Sequence, residues 1–234
     1  MPARNGSEGQ GMALNRSADR PQLSIAEAQL ARVHNDGCAR HPHLSFLLEA
    51  SGPNLARDLS DAVHLMCSLH GRHPGMFDLA LQRESAGPLQ SWLGRAADAF
   101  ERERNYLVRL TASVGPVPST PGAAETESSM AGQRRALETL AMSERPGCAL
   151  GAATAMVGDW WPIRRLLDRA AARAGVDCPP PSMPDEGSVR QVIADCIDTA
   201  AAQRAVSFGA EQLLLQHRAL FDLLEARASA RGDF

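Results

Sequence analysis

Apolar residues recur three and four positions apart along most of this chain, and that spacing predicts amphipathic α-helices. The pattern begins where Ser24 and Glu27 form a capping box, in which each side chain binds a free amide at the helix start. Long helical stripes follow at about 88–113, 126–143, 147–175 and 188–228. We therefore expect an all-α fold, a helical bundle of about four long helices plus short N-terminal helices.

Shorter helical runs precede the first long one. We expect brief helices at about 24–34, 44–49, 54–70 and 76–82. The apolar stripe of the 54–70 helix leaves Asp58, Asp61 and His64 on its other side. Asp61 and His64 are therefore interpreted as an exposed pair. His70 is expected to complement the free carbonyl groups where this helix ends.

Two of the long stripes contain features that strain a continuous helix. Small and apolar residues fill 147–158, a run too short for a bilayer, which needs about 20 residues, so it predicts a buried, closely packed helix. Pro162 follows and predicts either a kink or a restart of the helix with Asp159 as N-cap. The 188–228 stripe would be about 60 Å long as one helix, so we expect a bend near 207–209.

Domain organisation follows from where the periodicity begins. Residues 1–22 are rich in Gly, Ser, Asn, Gln and Arg and lack apolar spacing, which is typical of a disordered tail. We expect 23–234 to form a single helical bundle domain. The composition, 44% hydrophobic but only 4% aromatic, favours helices over sheets.

Charge and composition exclude several classes of function. A formal net charge of -3 argues against nucleic acid as a partner, because such binders usually present a concentrated basic face. The doublets Arg134-Arg135 and Arg164-Arg165 lie beside acidic residues and are interpreted as solvated ion-pair faces. The chain has no lysine, which excludes Schiff-base chemistry, a P-loop lysine and a kinase-type lysine.

The cysteines indicate the compartment. All 5 are widely separated without a CxxC pair, so we expect buried thiols in a reducing environment. The N-terminus lacks the pattern of a secretory signal, and we expect a cytoplasmic protein with no membrane span. His70 and His73 have a spacing that metal ligands use, but nearby residues do not complete a tetrahedral set, so we expect neither metal nor cofactor.

Three ionisable residues fall on apolar stripes, and they are the main pointer to function. Glu103, Asp159 and His217 each face inward on a different predicted helix. An unpaired buried charge costs several kcal/mol or more, so each must find a partner, water or a ligand. With Tyr106 and Trp160 they form the candidate ligand-binding site, and Trp92 and Trp161 would complete its walls. Each of the three also has a purely structural explanation. Glu103 could pair with an arginine, Asp159 could cap a helix, and His217 could be a hydrogen-bonded core residue.

One inward polar residue on each long helix loosely resembles the architecture of ferritin-like bundles, but the Glu-x-x-His motif of di-iron proteins is absent. The stretch from Gly147 through Asp159-Trp160 to Ile163-Arg164, with Leu166-Leu167-Asp168, resembles an uncharacterised bacterial all-helical family, a domain of unknown function. The resemblance covers about 44–227. It implies one fold unit and brings no activity.

Three hypotheses follow. The first is a non-catalytic bundle that binds a small apolar or amphipathic ligand or a protein partner. The second is a structural protein, possible as a homo-oligomer, whose inner polar groups are satisfied core residues. The third is an enzyme, acid-base or metal-dependent, that uses Glu103, Asp159 and His217.

Overall fold

The computed structural model describes residues 23–232, and the expected tail at 1–22 lies outside them. Within this range the protein is all-α, as the apolar spacing predicts, with no strand. No helix in the range combines the length and apolar content needed to cross a membrane. The helices are α1 (Ile25–Asp36), a 3₁₀ turn (Cys38–Arg40), α2 (Pro42–Glu49), α3 (Leu55–His70), α4 (Met76–Gln82), α5 (Pro88–Ser113), α6 (Ala123–Ala141), α7 (Cys148–Ala174), α8 (Glu186–Cys196) and α9 (Ala200–Arg231).

Helices α7 and α9 form the centre of the bundle. Their contact is the most extensive between any two elements described, and α1, α3, α5 and α6 pack around them. Glycines allow the two backbones to touch: a Cβ built on Gly151 would lie 2.0 Å from the carbonyl oxygen of Val206. A Cβ on Gly209 would lie 2.1 Å from the carbonyl oxygen of Cys148. The small-residue run at 147–158 is therefore a buried helix packed closely on its neighbour, as expected.

Helix α7 continues through Pro162, so the predicted restart is wrong. Asp159 lies inside the helix and is not its N-cap; Gly147 occupies that position. Pro162 removes one backbone donor, but packing along the whole length of α7 keeps the residues before and after it helical. Gly175 ends α7 in a left-handed conformation, φ 68°, which suits a residue without a Cβ.

The 188–228 stripe forms two helices, so the predicted bend at 207–209 is wrong. The break lies at 197–199, where Ile197 is extended and the Thr199 hydroxyl accepts a hydrogen bond from the amide of Ala202. A threonine N-cap therefore starts α9. The other helix is capped by Asp185, which accepts from the amide of Ser188, the residue at which the sequence predicted the start.

The outer side of α3 is covered, contrary to prediction. Asp58 and Asp61 are buried because the last turns of α9 lie across them. Arg227 Nη2 is 2.8 Å from Asp61 Oδ1, and Arg231 Nη2 is 2.8 Å from Asp58 Oδ1. His64 is not paired with Asp61 and instead contacts the carbonyl oxygen of Gly115 at 2.8 Å. Periodicity did not detect these carboxylates as core groups, because their partners are about 170 residues away in sequence.

Candidate functional site

Asp159, in the central helix α7, binds the N-terminal segment at Cys38. Its Oδ1 accepts a hydrogen bond from the backbone amide of Cys38 at 2.8 Å, and its Oδ2 lies 2.7 Å from His217 Nδ1. A Cβ on Gly37 would lie 2.4 Å from Asp159 Oδ1, so only glycine allows this approach. Both carboxylate oxygens are thus occupied by groups of the protein itself.

His217 also contacts a second histidine, His70. Its Nε2 lies 3.1 Å from Nε2 of His70, which makes a chain Asp159–His217–His70 across α7, α9 and α3. Because an ionised carboxylate only accepts, His217 donates from Nδ1 to Asp159. One of the two facing Nε2 atoms donates to the other. The His70 ring packs edge-on against Trp160, with centroids 5.6 Å apart.

His70 is the residue that sequence reasoning missed here. We expected it to face the carbonyl groups at the end of α3, but it is buried in the core. Position 70 continues the apolar stripe of Val63 and Met66 by helical spacing, and that signal could have identified it. Burial lowers the pKa of His70 well below its ordinary value, and the nearby His217 and Arg104 act in the same direction.

Stability should fall with acidification because of His70. Its folded pKa lies below the unfolded value of about 6.5, so below that pH the unfolded chain binds a proton that the folded protein does not. The loss should approach about 1.4 kcal/mol per pH unit. We expect denaturant unfolding of His70→Gln to depend less on pH between 7.5 and 5.5 than wild type, while His64→Gln follows wild type. Parallel profiles for all three proteins would refute this assignment.

Glu103 is held by a buried network. Its Oε2 is 2.9 Å from Arg164 Nη1 and 3.2 Å from Trp160 Nε1, which both donate. Its Oε1 accepts from the amide and hydroxyl of Ser182, at 2.9 and 3.0 Å. The arginine partner proposed as the non-functional explanation of Glu103 is therefore present.

Arg164 is not part of a solvated face, and that prediction is wrong. It is 2% exposed, because α5 and the proline-rich segment before α8 cover it. Its Nε donates to Asp168 Oδ1 at 2.7 Å, and its guanidinium lies 4.5 Å from the centre of the Tyr106 ring. Tyr106 also donates to Asp168, at 2.9 Å. Burial, then hydrogen bonds to Cys178 and Asp168, raise the pKa of Tyr106, so its hydroxyl remains a donor.

The predicted site residues lie close together, in a layer of buried side chains that are hydrogen-bonded to other protein groups. Asp159 contacts His217, and Trp160, the next residue after Asp159, donates to Glu103. Tyr106 joins the layer through Asp168. All five predicted ligand-binding residues are buried and are engaged by other protein groups. Their described contacts link α5, α7 and α9 in the core.

Trp92 and Trp161, which were predicted to form walls of the site, do not lie together. Trp92 is buried elsewhere, where its Nε1 donates to Ser188 Oγ at 2.9 Å. Trp161 points away from the layer and is 39% exposed. It lines a pocket of about 300 Å³ between α1, α7 and α8. Its walls are mainly apolar and include Leu30, Val33, Val157, Trp161, Pro162, Pro184 and Val189. Of the predicted ligand-binding residues, only Asp159 lines it.

One group among residues 23–232 has a spacing that a metal ion could use. Ligand atoms of His41, Asp222 and Glu225 lie within 4.8 Å of one another. His41 Nδ1, however, accepts the amide hydrogen of His43 at 3.1 Å, so its proton is on Nε2, which faces Asp222 at 2.9 Å. A protonated nitrogen cannot bind a metal. The group fits a hydrogen-bonded helix cap better than a metal centre.

The cysteines are free thiols throughout the described residues. Cys38 and Cys148 are buried as expected, whereas Cys178 is exposed and the other two are partly exposed. The expectation of five buried thiols is therefore wrong for three of them. Burial and the neighbouring Asp159 carboxylate raise the pKa of Cys38, which keeps it a thiol.

Comparison with known proteins agrees with the resemblance seen in the sequence. A family of unknown function, DUF6975, matches residues 33–232, which include all of α2 to α9. Neither the curated proteins nor the solved structures contain a match. The match covers most of the chain, and the protein therefore belongs to the DUF6975 family of unknown function.

Proposed function

We propose that this protein is a non-catalytic helical module that binds a small apolar ligand in the pocket between α1, α7 and α8. The observation that carries the proposal is the pocket of about 300 Å³ with apolar walls and a partly exposed tryptophan, Trp161, at its edge. This volume is at the lower end of the range for ligand pockets, about 300–1,000 Å³. Partly exposed aromatic surface beside a cavity is typical of binding sites.

Other depressions support the proposal less well. Two along α9 are larger, about 460 and 430 Å³. Charged residues form much of the wall of the smaller one, and the larger one has small side chains, Phe208 and two arginines in its wall, with no tryptophan. The buried layer of Glu103, Asp159 and His217 supplies the pocket with rigid support, since Asp159 fixes the turn that includes Ala39 at the pocket wall. Of the inner polar residues, Asp159 alone reaches the pocket wall, and it positions the turn that forms part of that wall.

The test is a titration with octan-1-ol, a neutral apolar ligand, followed by tryptophan fluorescence and calorimetry. Trp92 and Trp160 are buried, so a change in emission would report on Trp161. We expect saturable binding that Ala39→Phe abolishes, because its larger side chain fills the pocket. Ala131→Phe, an exposed site on α6, should bind as wild type does. Absence of saturable binding, or equal loss in both variants, would end the proposal.

Self-association is the second candidate, and it has its own surface. Phe208 and Leu215 are 43% and 48% exposed and lie seven residues apart on α9. Two side chains cover far less than the roughly 800 Å² per partner of a stable interface, so we rank the ligand hypothesis first. We place the protein in the cytoplasm, a proposal supported by its free thiols.

A further inference from the structure

The positive charge of Arg40 lies beside the pocket between α1, α7 and α8. Arg40 follows Ala39, which lines the pocket, and its guanidinium holds His34, which also lines it. Arg40 Nη2 is 2.8 Å from His34 Nε2, and Arg40 Nε is 3.2 Å from the carbonyl oxygen of His34. Within residues 23–232, no carboxylate oxygen lies within 4.0 Å of a guanidinium nitrogen of Arg40.

The contacts of Arg40 are to neutral groups. A guanidinium can only donate, so His34 Nε2 must accept, and the imidazole is uncharged with its proton on Nδ1. The carbonyl oxygen is neutral as well. These two contacts hold the guanidinium against His34, a residue of the pocket wall, and leave further N–H donors available for an anion.

The acidic groups of the same pocket are already engaged. Both Asp159 oxygens are occupied, by the Cys38 amide and by His217. Glu186 lies 3.0 Å from Arg190 on its own helix. The apolar walls and the adjacent Arg40 guanidinium, which touches the lining residue His34, together complement a molecule with an apolar body and one negative end.

We propose that the ligand of this pocket is a free medium-chain carboxylate, whose alkyl chain fills the apolar space and whose carboxylate binds Arg40. The inference rests on the proposed function, because it names the ligand class of the same pocket. The volume of about 300 Å³ suits a chain of medium length, since it lies at the lower end of the range for ligand pockets. Each methylene buried should tighten the dissociation constant about fourfold.

The experiment compares three ligands of equal chain length with the full chain, by calorimetry below the concentration at which they form micelles. The probes are octanoate, octan-1-ol and octylammonium. We expect octanoate to bind about two- to fivefold more tightly than octan-1-ol, the range for a partly exposed ion pair, and octylammonium to bind most weakly. Hexanoate should bind about sixteenfold more weakly than octanoate.

Matched arginine variants assign the charge preference to one residue. Arg40→Gln should bind octan-1-ol as wild type does and lose its preference for octanoate, because the apolar walls are unchanged. Arg135→Gln, at an exposed position of α6, should keep that preference. Both arginines are on the surface, so each variant should fold.

Failures of the two proposals are distinguishable. If octan-1-ol binds as tightly as octanoate, or Arg40→Gln keeps the preference, the carboxylate assignment is wrong while the apolar pocket stands. If none of the three ligands binds saturably, the proposed function fails with it. Sedimentation with vesicles that contain oleate, without binding of octanoate, would replace the free carboxylate by a membrane surface and overturn the inference.

Discussion

Replacing Arg164 by methionine should lower the free energy of unfolding by about 3–5 kcal/mol, the usual cost of removing one member of a buried ion pair. The Glu103 carboxylate would remain in a core from which water is excluded, with only Trp160 and Ser182 as donors. Urea unfolding followed by circular dichroism measures this loss. Because Arg164 also binds Asp168, part of the effect would come from that second contact.

The adjacent arginine supplies a matched control. Arg165 is exposed on the same helix, and Arg165→Met should change stability by about 0.5 kcal/mol or less. Equal effects of the two substitutions would contradict the placement of Arg164 in the core. Combining Arg164→Met with Glu103→Leu should cost less than the sum of the two single changes, because the double variant leaves no unpaired carboxylate at position 103.

Elements with strong local signals could be predicted from the sequence. The α5 helix begins at Pro88 and ends at Ser113, as expected, because proline suits the first turn and the apolar stripe is long. The capping box of Ser24 and Glu27 is present at the start of α1. These features depend on residues a few positions apart, so periodicity and capping rules describe them well.

Features that depend on distant partners could not be predicted. The burial of Arg164 depends on Glu103, 61 residues away, and on the segment at 178–184 that covers it. Asp61 was assigned to the polar face because the α3 stripe considered alone leaves it outside, whereas Arg227 from the other end of the chain encloses it. The sequence around a carboxylate does not show whether its partner is water or a guanidinium that is distant in the chain.

The candidate site illustrates the same limit. Periodicity correctly placed Glu103, Asp159 and His217 inside the bundle, and it left open whether protein groups or a ligand are their partners. The structure supplies protein partners to each of them. The pocket lies on the other side of α7 beside Trp161, a residue that the sequence marked only as a possible wall. Its volume is created by how α1 and α8 meet α7, which local patterns do not determine.

Gly151→Ala should be among the most destabilising single-methyl changes in this protein, because its Cβ would lie 2.0 Å from a backbone oxygen of α9. Overpacking against flexible side chains costs about 1–3 kcal/mol. Here the obstacle is the backbone of Val206, so α7 and α9 must separate along the most extensive contact of the fold. We expect a loss of about 3 kcal/mol or more, measured by thermal and urea unfolding.

The same substitution at Gly94 separates this steric effect from helix propensity. Gly94 lies within α5, and a Cβ there has no other atom within 4 Å, so Gly94→Ala should stabilise the protein by about 0.5–1 kcal/mol. Gly209→Ala, where the Cβ would lie 2.1 Å from the Cys148 carbonyl oxygen, should resemble Gly151→Ala. If Gly151→Ala were as stable as Gly94→Ala, helices α7 and α9 could not be in backbone contact, and the centre of the bundle would have to be reassigned.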